Sequence, residues 1–346
     1  MPKNIVVCCD GTGNQYGENN TNVVKMFGLI QKDAHQIAYY DPGIGTLSAP
    51  AALTKTTKAL TRLLGLAFAF GITGNIEDAY EYLMDKYEPE DRVFLFGFSR
   101  GAFTVRALAG MIYKCGLLQK GSNNLIPYAS RMYRYGKPKV AKGFKATFSR
   151  ECKPHFIGVW DTVESVGLIS PRRFSNRELN RDVRFARHAI SVDEQRSKFR
   201  PNLWEPSAVP GQSIVQVWFP GVHSDVGGYY KESGLSDIAL KWLIDEARAC
   251  DLRINETEYK LLAPNPAHKM HNSLLPLWWV LGWWRRKIPL GSLVHSSVIE
   301  RRKLVRNYRP ANIPSDEHFQ VFVPAGPLVP VLENPDVVQV PAAQTA

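Results

Sequence analysis

A serine hydroxyl becomes a nucleophile only when a base takes its proton and donors await the developing oxyanion. Ser99 lies in Gly97-Phe98-Ser99-Arg100-Gly101, a G-x-S-x-G pentapeptide with the apolar run Val93–Phe96 before it and the small-residue helical pattern Ala102–Tyr113 after it. Strand, sharp turn and helix form the context in which this motif carries chemistry. The turn strains the serine backbone, and Gly97 and Gly101 leave the strand and helix free to approach. The N-terminus of the helix directs positive potential at the hydroxyl. The chemistry served is acyl transfer through a serine ester.

In this chain order the acid and then the histidine follow the serine. Asp161 closes the apolar run His155–Trp160, at the strand end where ligands bind in open parallel sheets. Asp193 is a weaker rival, set in a stretch (Ile190–Arg196) that reads as helical. Of eight histidines, His223 follows the strand candidate Ile214–Phe219 in the glycine-flanked loop Pro220–Gly228. His155 starts a strand and points to the opposite rim, and His188 falls in a predicted helix over 180–190. Oxyanion donors are expected from the N–H of Arg100 and from Gly11 or Thr12 after the first strand. Asp10 would brace that turn, Asp41 would support it from the end of the second strand, and Asp225 would orient the histidine loop.

These residues require a rim, hence a sheet. Strand candidates at 5–9, 36–40, 92–96, 155–160 and 214–219 alternate with helical patterns at 75–87, 102–113, 180–190 and 235–249. That alternation predicts an α/β fold, an α/β-hydrolase fold with a mainly parallel sheet and helices on both faces. One catalytic domain over 1–252 is expected, with cap or lid insertions at about 49–74 and 114–153. The first insertion contains the amphipathic stretch Leu53–Ala67, and the second reads as basic and loop-rich. Residues 253–346 read as an irregular, basic and aromatic extension packed on the core.

Other chemistries fail on single residues. The start Val6–Thr12 is like that of the haloacid-dehalogenase phosphatases, but Cys8 stands where their nucleophilic aspartate must be. The glycines at 11, 13 and 17 miss the dinucleotide-binding spacing, and no H-E-x-x-H or Cys/His cluster marks a metal site. No cofactor and no metal are expected, with an ion beside Asp10 and Asp41 as the one alternative weighed.

Six segments in order resemble a known family: Cys9–Asn14, Tyr40–Thr46, Gly97–Ala102, Trp160–Val163, Asp193–Arg196 and Pro220–Gly228. Together they look like the uncharacterised α/β-hydrolase family that includes phospholipase effectors of bacterial type VI secretion. The resemblance covers about residues 4–250 and implies a Ser–Asp–His triad at Ser99, Asp161 and His223. It implies a lipase- or phospholipase-type esterase, a serine ester hydrolase acting on acyl-ester lipids. The alternatives are a catalytically silent membrane-associated scaffold of the same fold, or an acyltransferase or thioesterase using the same triad.

With 43 Lys+Arg against 32 Asp+Glu, the net charge of +11 points to an anionic partner. No nucleic-acid motif accompanies it, so nucleic acid is not the expected partner. A membrane surface fits better: Trp278, Trp279, Trp283 and Trp284 stand beside Arg285, Arg286 and Lys287, an interfacial mixture. Five cysteines without a C-x-x-C pair give no disulfide framework. The expected location is cytoplasmic or peripheral to a membrane, without signal peptide or transmembrane helix, and export by a signal-independent route stays open. Oligomeric state is not readable.

Overall fold

The computed structural model describes residues 2–11, 16–43, 57–163, 179–206, 209–274, 282–313 and 319–324, with side chains in the helix that begins at 57 described from residue 72. The strands are β1 (Asn4–Cys9), β2 (Gln36–Asp41), β3 (Arg92–Phe98), β4 (Leu117–Leu118), β5 (Ser149–Arg150), β6 (Pro154–Trp160), β7 (Phe185–Ser191), β8 (Ser213–Phe219), β9 (Ser292–His295) and β10 (Phe319–Phe322). Eight of them form one sheet in the order β10-β9-β8-β7-β6-β3-β1-β2, and β4 pairs with β5 separately. Every pairing described in the large sheet is parallel.

The helices that figure below are α1 (Asn22–Leu29), α2 (Thr57–Lys86), α3 (Arg100–Cys115), α4 (Ile126–Tyr135), α5 (Pro138–Phe148), α6 (His223–Gly227) and α7 (Gly234–Arg248). Ile5, Val7, Val93 and Leu95 meet α2 and α3 on one face of the sheet. Val6, Cys8, Phe94 and Phe96 meet α1 and α7 on the other. Burial on both faces explains why these strands read as unbroken apolar runs. The fold is therefore α/β, with a parallel sheet enclosed by helices.

From β1 the chain goes to β2 at one edge, returns through α2 to β3 on the other side of β1, and then builds outward to β10. The order reverses between β1 and β3. At such a switch point the loops after adjacent strands diverge and leave a crevice beyond their carboxyl ends. Ser99 follows β3 there.

Four expectations need correction or restriction. Residues 185–191 form strand β7, not part of a helix. Arg187 and His188 disguise this strand; tertiary partners accommodate them, with Arg187 paired to Glu246 on α7 and His188 bonded to the backbone beside β6. The 114–153 insertion is largely helical: α4 and α5 each begin with proline in the first turn and bury Ile126, Ala129 and Met132, or Ala141 and Phe144. The extension after 253 adds β9 and β10 to the main sheet, so it is part of the core architecture. The Leu53–Ala67 side chains lie outside the described residues, though the backbone from Thr57 is continuous helix into 75–86.

All five cysteines are free and buried. Among the described residues no helix is long and apolar enough to cross a membrane.

Candidate active site

Ser99 has φ 56° and ψ −114°, a strained conformation for a residue with a side chain. It is held by its own N–H, donated to Trp160 O at 3.0 Å. A Cβ at Gly97 would stand 2.4 Å from Gly101 O, and one at Gly101 would stand 2.0 Å from Cys9 O. The two glycines of the motif thus permit a three-way approach of β3, α3 and β1, and no side chain fits at either.

Register brings the other partners to the same rim. Phe98 lies opposite Trp160, Trp160 opposite Ala189, and Ser191 opposite Phe219. The chain leaving β3, β6 and β8 at that level delivers Ser99, Asp161 and His223. His223 Nε2 is 2.9 Å from Ser99 Oγ, and His223 Nδ1 is 2.5 Å from Asp161 Oδ2. The imidazole lies between Phe98 and Phe199, at 4.7 and 4.9 Å between ring centroids. Its ring plane is therefore set by packing as well as by hydrogen bonds.

Asp161 is wholly buried and also takes a left-handed backbone, φ 40°. Ser191 N–H donates to its Oδ1 at 2.9 Å, and the next amide, Thr162 N–H, donates to His188 Nε2 at 3.1 Å. Burial lowers the proton affinity of His188, to about 3, so the ring is neutral and serves as the acceptor. Arg286 then grips the carboxylate with both ends of its guanidinium: Nη1 to Oδ1 at 2.6 Å and Nη2 to Oδ2 at 3.0 Å. Burial alone would push the Asp161 carboxyl up. The charge of Arg286, with hydrogen bonds from His223 and Arg286, overcomes this and holds it well below the usual carboxylate range.

Glu194 supports the histidine from behind. It is buried, accepts His223 N–H at 3.2 Å, and is neutralised by Arg196, whose guanidinium also stacks on Phe199 at 3.5 Å. Asp225 accepts Val222 N–H at 3.0 Å, at the start of α6, and pairs with His271 Nδ1 at 2.7 Å. The rival Asp193 lies in a loop, not a helix, and accepts Gly221 N–H at 2.7 Å and the Tyr308 hydroxyl at 2.9 Å. It braces the histidine loop.

Asp10 accepts the Thr21 hydroxyl at 2.5 Å and the Tyr40 hydroxyl at 3.1 Å through Oδ2. Its Oδ1 accepts Gly11 N–H at 2.6 Å, so that amide is engaged inside its own turn. Thr12 lies outside the described residues. Arg100 opens α3 directly after Ser99. Asp41 accepts Gly43 N–H at 2.7 Å and the Asn75 side chain at 2.6 Å, and burial pushes its carboxyl up to about 6. Among the described residues no group of three or more His, Cys, Asp or Glu side chains is arranged to hold a metal ion.

The aromatic and basic segment is split between surface and interior. Trp278 and Trp279 lie outside the described residues. Trp283, Arg285 and Lys287 are exposed, and Trp284 is half-buried with Arg200 over its ring at 5.1 Å. Arg286 is 1% exposed, so its expected place on a membrane-facing patch is wrong. The segment is extended, its side chains alternate outward and inward, and Arg286 takes an inward position. Composition put it among the surface cations; only the fold shows that its partner is Asp161.

Residues 3–246 match the family model described as T6SS, phospholipase effector Tle1-like, catalytic domain. The uncharacterized protein YEL023C of Saccharomyces cerevisiae is 39% identical over 224 residues, which are 59% of this chain and 33% of that protein. An uncharacterized protein from Pseudomonas aeruginosa is similar in structure, with 19% identity over 76% of this chain and 48% of that one, at a TM-score of 0.43. The Tle1 effector bound to the VgrG spike of the type 6 secretion system aligns with 18% identity over 66% of this chain and 52% of that one, at a TM-score of 0.42. The chain spans about a third of the curated relative and about half of each structure.

Proposed function

Because the chain belongs to the family of Tle1-like phospholipase effector catalytic domains of type VI secretion, we propose that it hydrolyses carboxylic esters of lipids through Ser99, His223 and Asp161. The observation that carries this is the continuous relay from Ser99 Oγ through His223 to Asp161, at 2.9 and 2.5 Å, built on a strained serine turn.

In this mechanism Ser99 attacks the ester carbonyl while His223 Nε2 accepts its proton. The same nitrogen returns the proton to the departing alcohol, and a water then repeats the sequence on the acyl-enzyme. Asp161 fixes the tautomer by accepting from Nδ1. The oxyanion is assigned to the Arg100 N–H at the positive end of α3. Gly11 contributes only if its amide exchanges Asp10 for the substrate. Lipid approaches over the rim at Trp283, Arg285 and Lys287, where an aromatic ring and cations suit an anionic interface.

Labelling with a fluorophosphonate, located by peptide mass spectrometry, tests the reading. The expected adduct is on Ser99 and disappears in His223→Ala, while a soluble short-chain ester is turned over by the parent and not by Ser99→Ala. An unlabelled, folded parent whose Ser99→Ala variant still cleaves the ester would refute the mechanism. Absence of both adduct and turnover would favour the scaffold.

A further inference from the structure

We propose that Arg286 is a positioning residue of the triad, and that the C-terminal strap carrying it is a working part of the catalytic apparatus. This rests on the serine-hydrolase reading above. The strap lies beyond residue 246, where the match to the family's catalytic domain ends.

The strap is fastened on the rim by backbone bonds. Trp284 N–H donates to Gln195 O at 2.9 Å, and Ser197 N–H donates to Gly282 O at 3.2 Å. From this support Arg286 makes four bonds inward. Two go to the Asp161 carboxylate, at 2.6 and 3.0 Å, one to Ser191 O at 2.9 Å and one to Phe199 O at 2.6 Å. Ser191 also donates its N–H to Asp161, and Phe199 is the ring packed against His223. One guanidinium therefore ties together the acid, the strand that orients the acid, and the loop that packs the base.

The charge has a separate consequence. Oδ2 of Asp161 receives both His223 Nδ1 and Arg286 Nη2, so the carboxylate divides its field between an imidazole and a permanent cation. The groups facing this centre are His223 from α6, His188 from β7, Glu194 and Arg196 from the loop after β7, and Arg286 from the strap. Among them Arg286 supplies the positive charge in direct contact with Asp161. Removing it favours every protonated form beside it. Asp161 would then take up a proton at higher pH, and the imidazolium formed in the reaction would be held more tightly. Both changes move the acid limb of activity to higher pH. Lysine cannot substitute, because it offers a point charge where the site is shaped for a planar fork.

The test compares parent, Arg286→Ala and Arg286→Lys on a soluble ester across pH, with and without dilute guanidinium ion. Arg286→Ala is expected to lose about 100-fold in kcat with KM nearly unchanged, as when an orienting partner behind a reacting group is removed. Guanidinium should restore at least about tenfold of that loss with saturation, by refilling the space the side chain left. The acid limb of kcat/KM should move upward in Arg286→Ala and stay near the parent's in Arg286→Lys, which keeps the positive charge and loses the fork. Parent rates in Arg286→Ala would overturn the proposal. So would a slow variant with an unmoved acid limb and no response to guanidinium, which would make Arg286 a structural brace only. If Arg286→Ala does not fold, Arg286→Lys carries the test, and a kcat indistinguishable from the parent's overturns it. A parent without Ser99 labelling would instead defeat the hydrolase reading itself.

Discussion

Asp161 and Arg286 form a buried ion pair, 0% and 1% exposed, and its energetics separate this site from one whose aspartate meets only an imidazole and backbone amides. Consider Asp161→Asn. The side chain keeps its shape and the Ser191 N–H keeps an acceptor, but Arg286 is left buried opposite a neutral amide. Breaking a buried pair from one side costs about 3–5 kcal/mol. Arg286→Met should cost a similar amount, since a buried carboxylate then lacks its cation. The double variant leaves neither charge unpaired and is expected within about 1–2 kcal/mol of the parent, because neutral replacement of a buried pair is tolerated. Urea unfolding of the four proteins gives the coupling directly, about 4 kcal/mol or more in favour of the pair. Activity follows a different pattern. Asp161→Asn should lose about 10⁴-fold in kcat, and the double variant should recover none of it, since the imidazole still lacks the acceptor for its Nδ1 proton. The pH dependence has a fixed sign. The folded carboxyl is depressed, so its contribution is complete above the ordinary carboxylate value of about 4 and fades as pH falls below it. An Asp161→Asn protein as stable as the parent at neutral pH, or a double variant as unstable as the sum of the singles, would refute the reasoning.

Gly101→Ala should fail at the elbow: its Cβ would sit 2.0 Å from Cys9 O, a backbone atom, so α3 must retreat from β1. An overpacking cost of about 1–3 kcal/mol and an approximately 100-fold fall in kcat are expected, read by urea unfolding and ester turnover. Burial pushes the Asp193 carboxyl up to about 6, so the folded state holds its proton and stability falls as pH rises from about 4 to 6. Asp193→Asn should remove on the order of 2 kcal/mol of that slope, measured as unfolding free energy against pH. His188→Phe leaves Thr162 N–H without its acceptor and should destabilise by about 1–3 kcal/mol, with kcat falling because the turn that presents Asp161 loosens. Trp283→Ala should weaken co-sedimentation with anionic vesicles while turnover of a soluble ester is preserved; equal sedimentation would remove the rim from the lipid-approach model.

The legible part of the site was local in its signals. The elbow announces itself through an apolar strand, two glycines at fixed positions and a helix of small residues, all within 92–115. Asp161 and His223 each follow an apolar run, so their common rim can be inferred once the strands are parallel. Arg286 has no such local mark. Its inward direction depends on the alternation of an extended strap and on an aspartate 125 positions earlier. β7 is hidden because Arg187 and His188 break its apolar pattern, and the partners that accommodate them, Glu246 and Ser213 for the first and Thr162 N–H for the second, are distant in sequence. β9 and β10 have four residues each, too few for alternation to stand out against an irregular segment. Gly11 shows a further limit: its position suits an oxyanion donor, but the bond its amide makes depends on where the Asp10 side chain turns.

The five enclosed thiols give the molecule an indifference to redox surroundings. Burial pushes Cys115 and Cys152 up to about 12 and Cys250 up to about 11, and raises Cys8 and Cys9 strongly as well. Thiolate is the form that reacts with disulfides and oxidants, so each sulfur is both shielded and chemically quiet. A chain built in this way can move from a reducing compartment to an oxidising one with its covalent structure unchanged. Its native mass after exposure to a thiol oxidant should equal that of the reduced protein, until denaturant opens β1 and the layers packed around it.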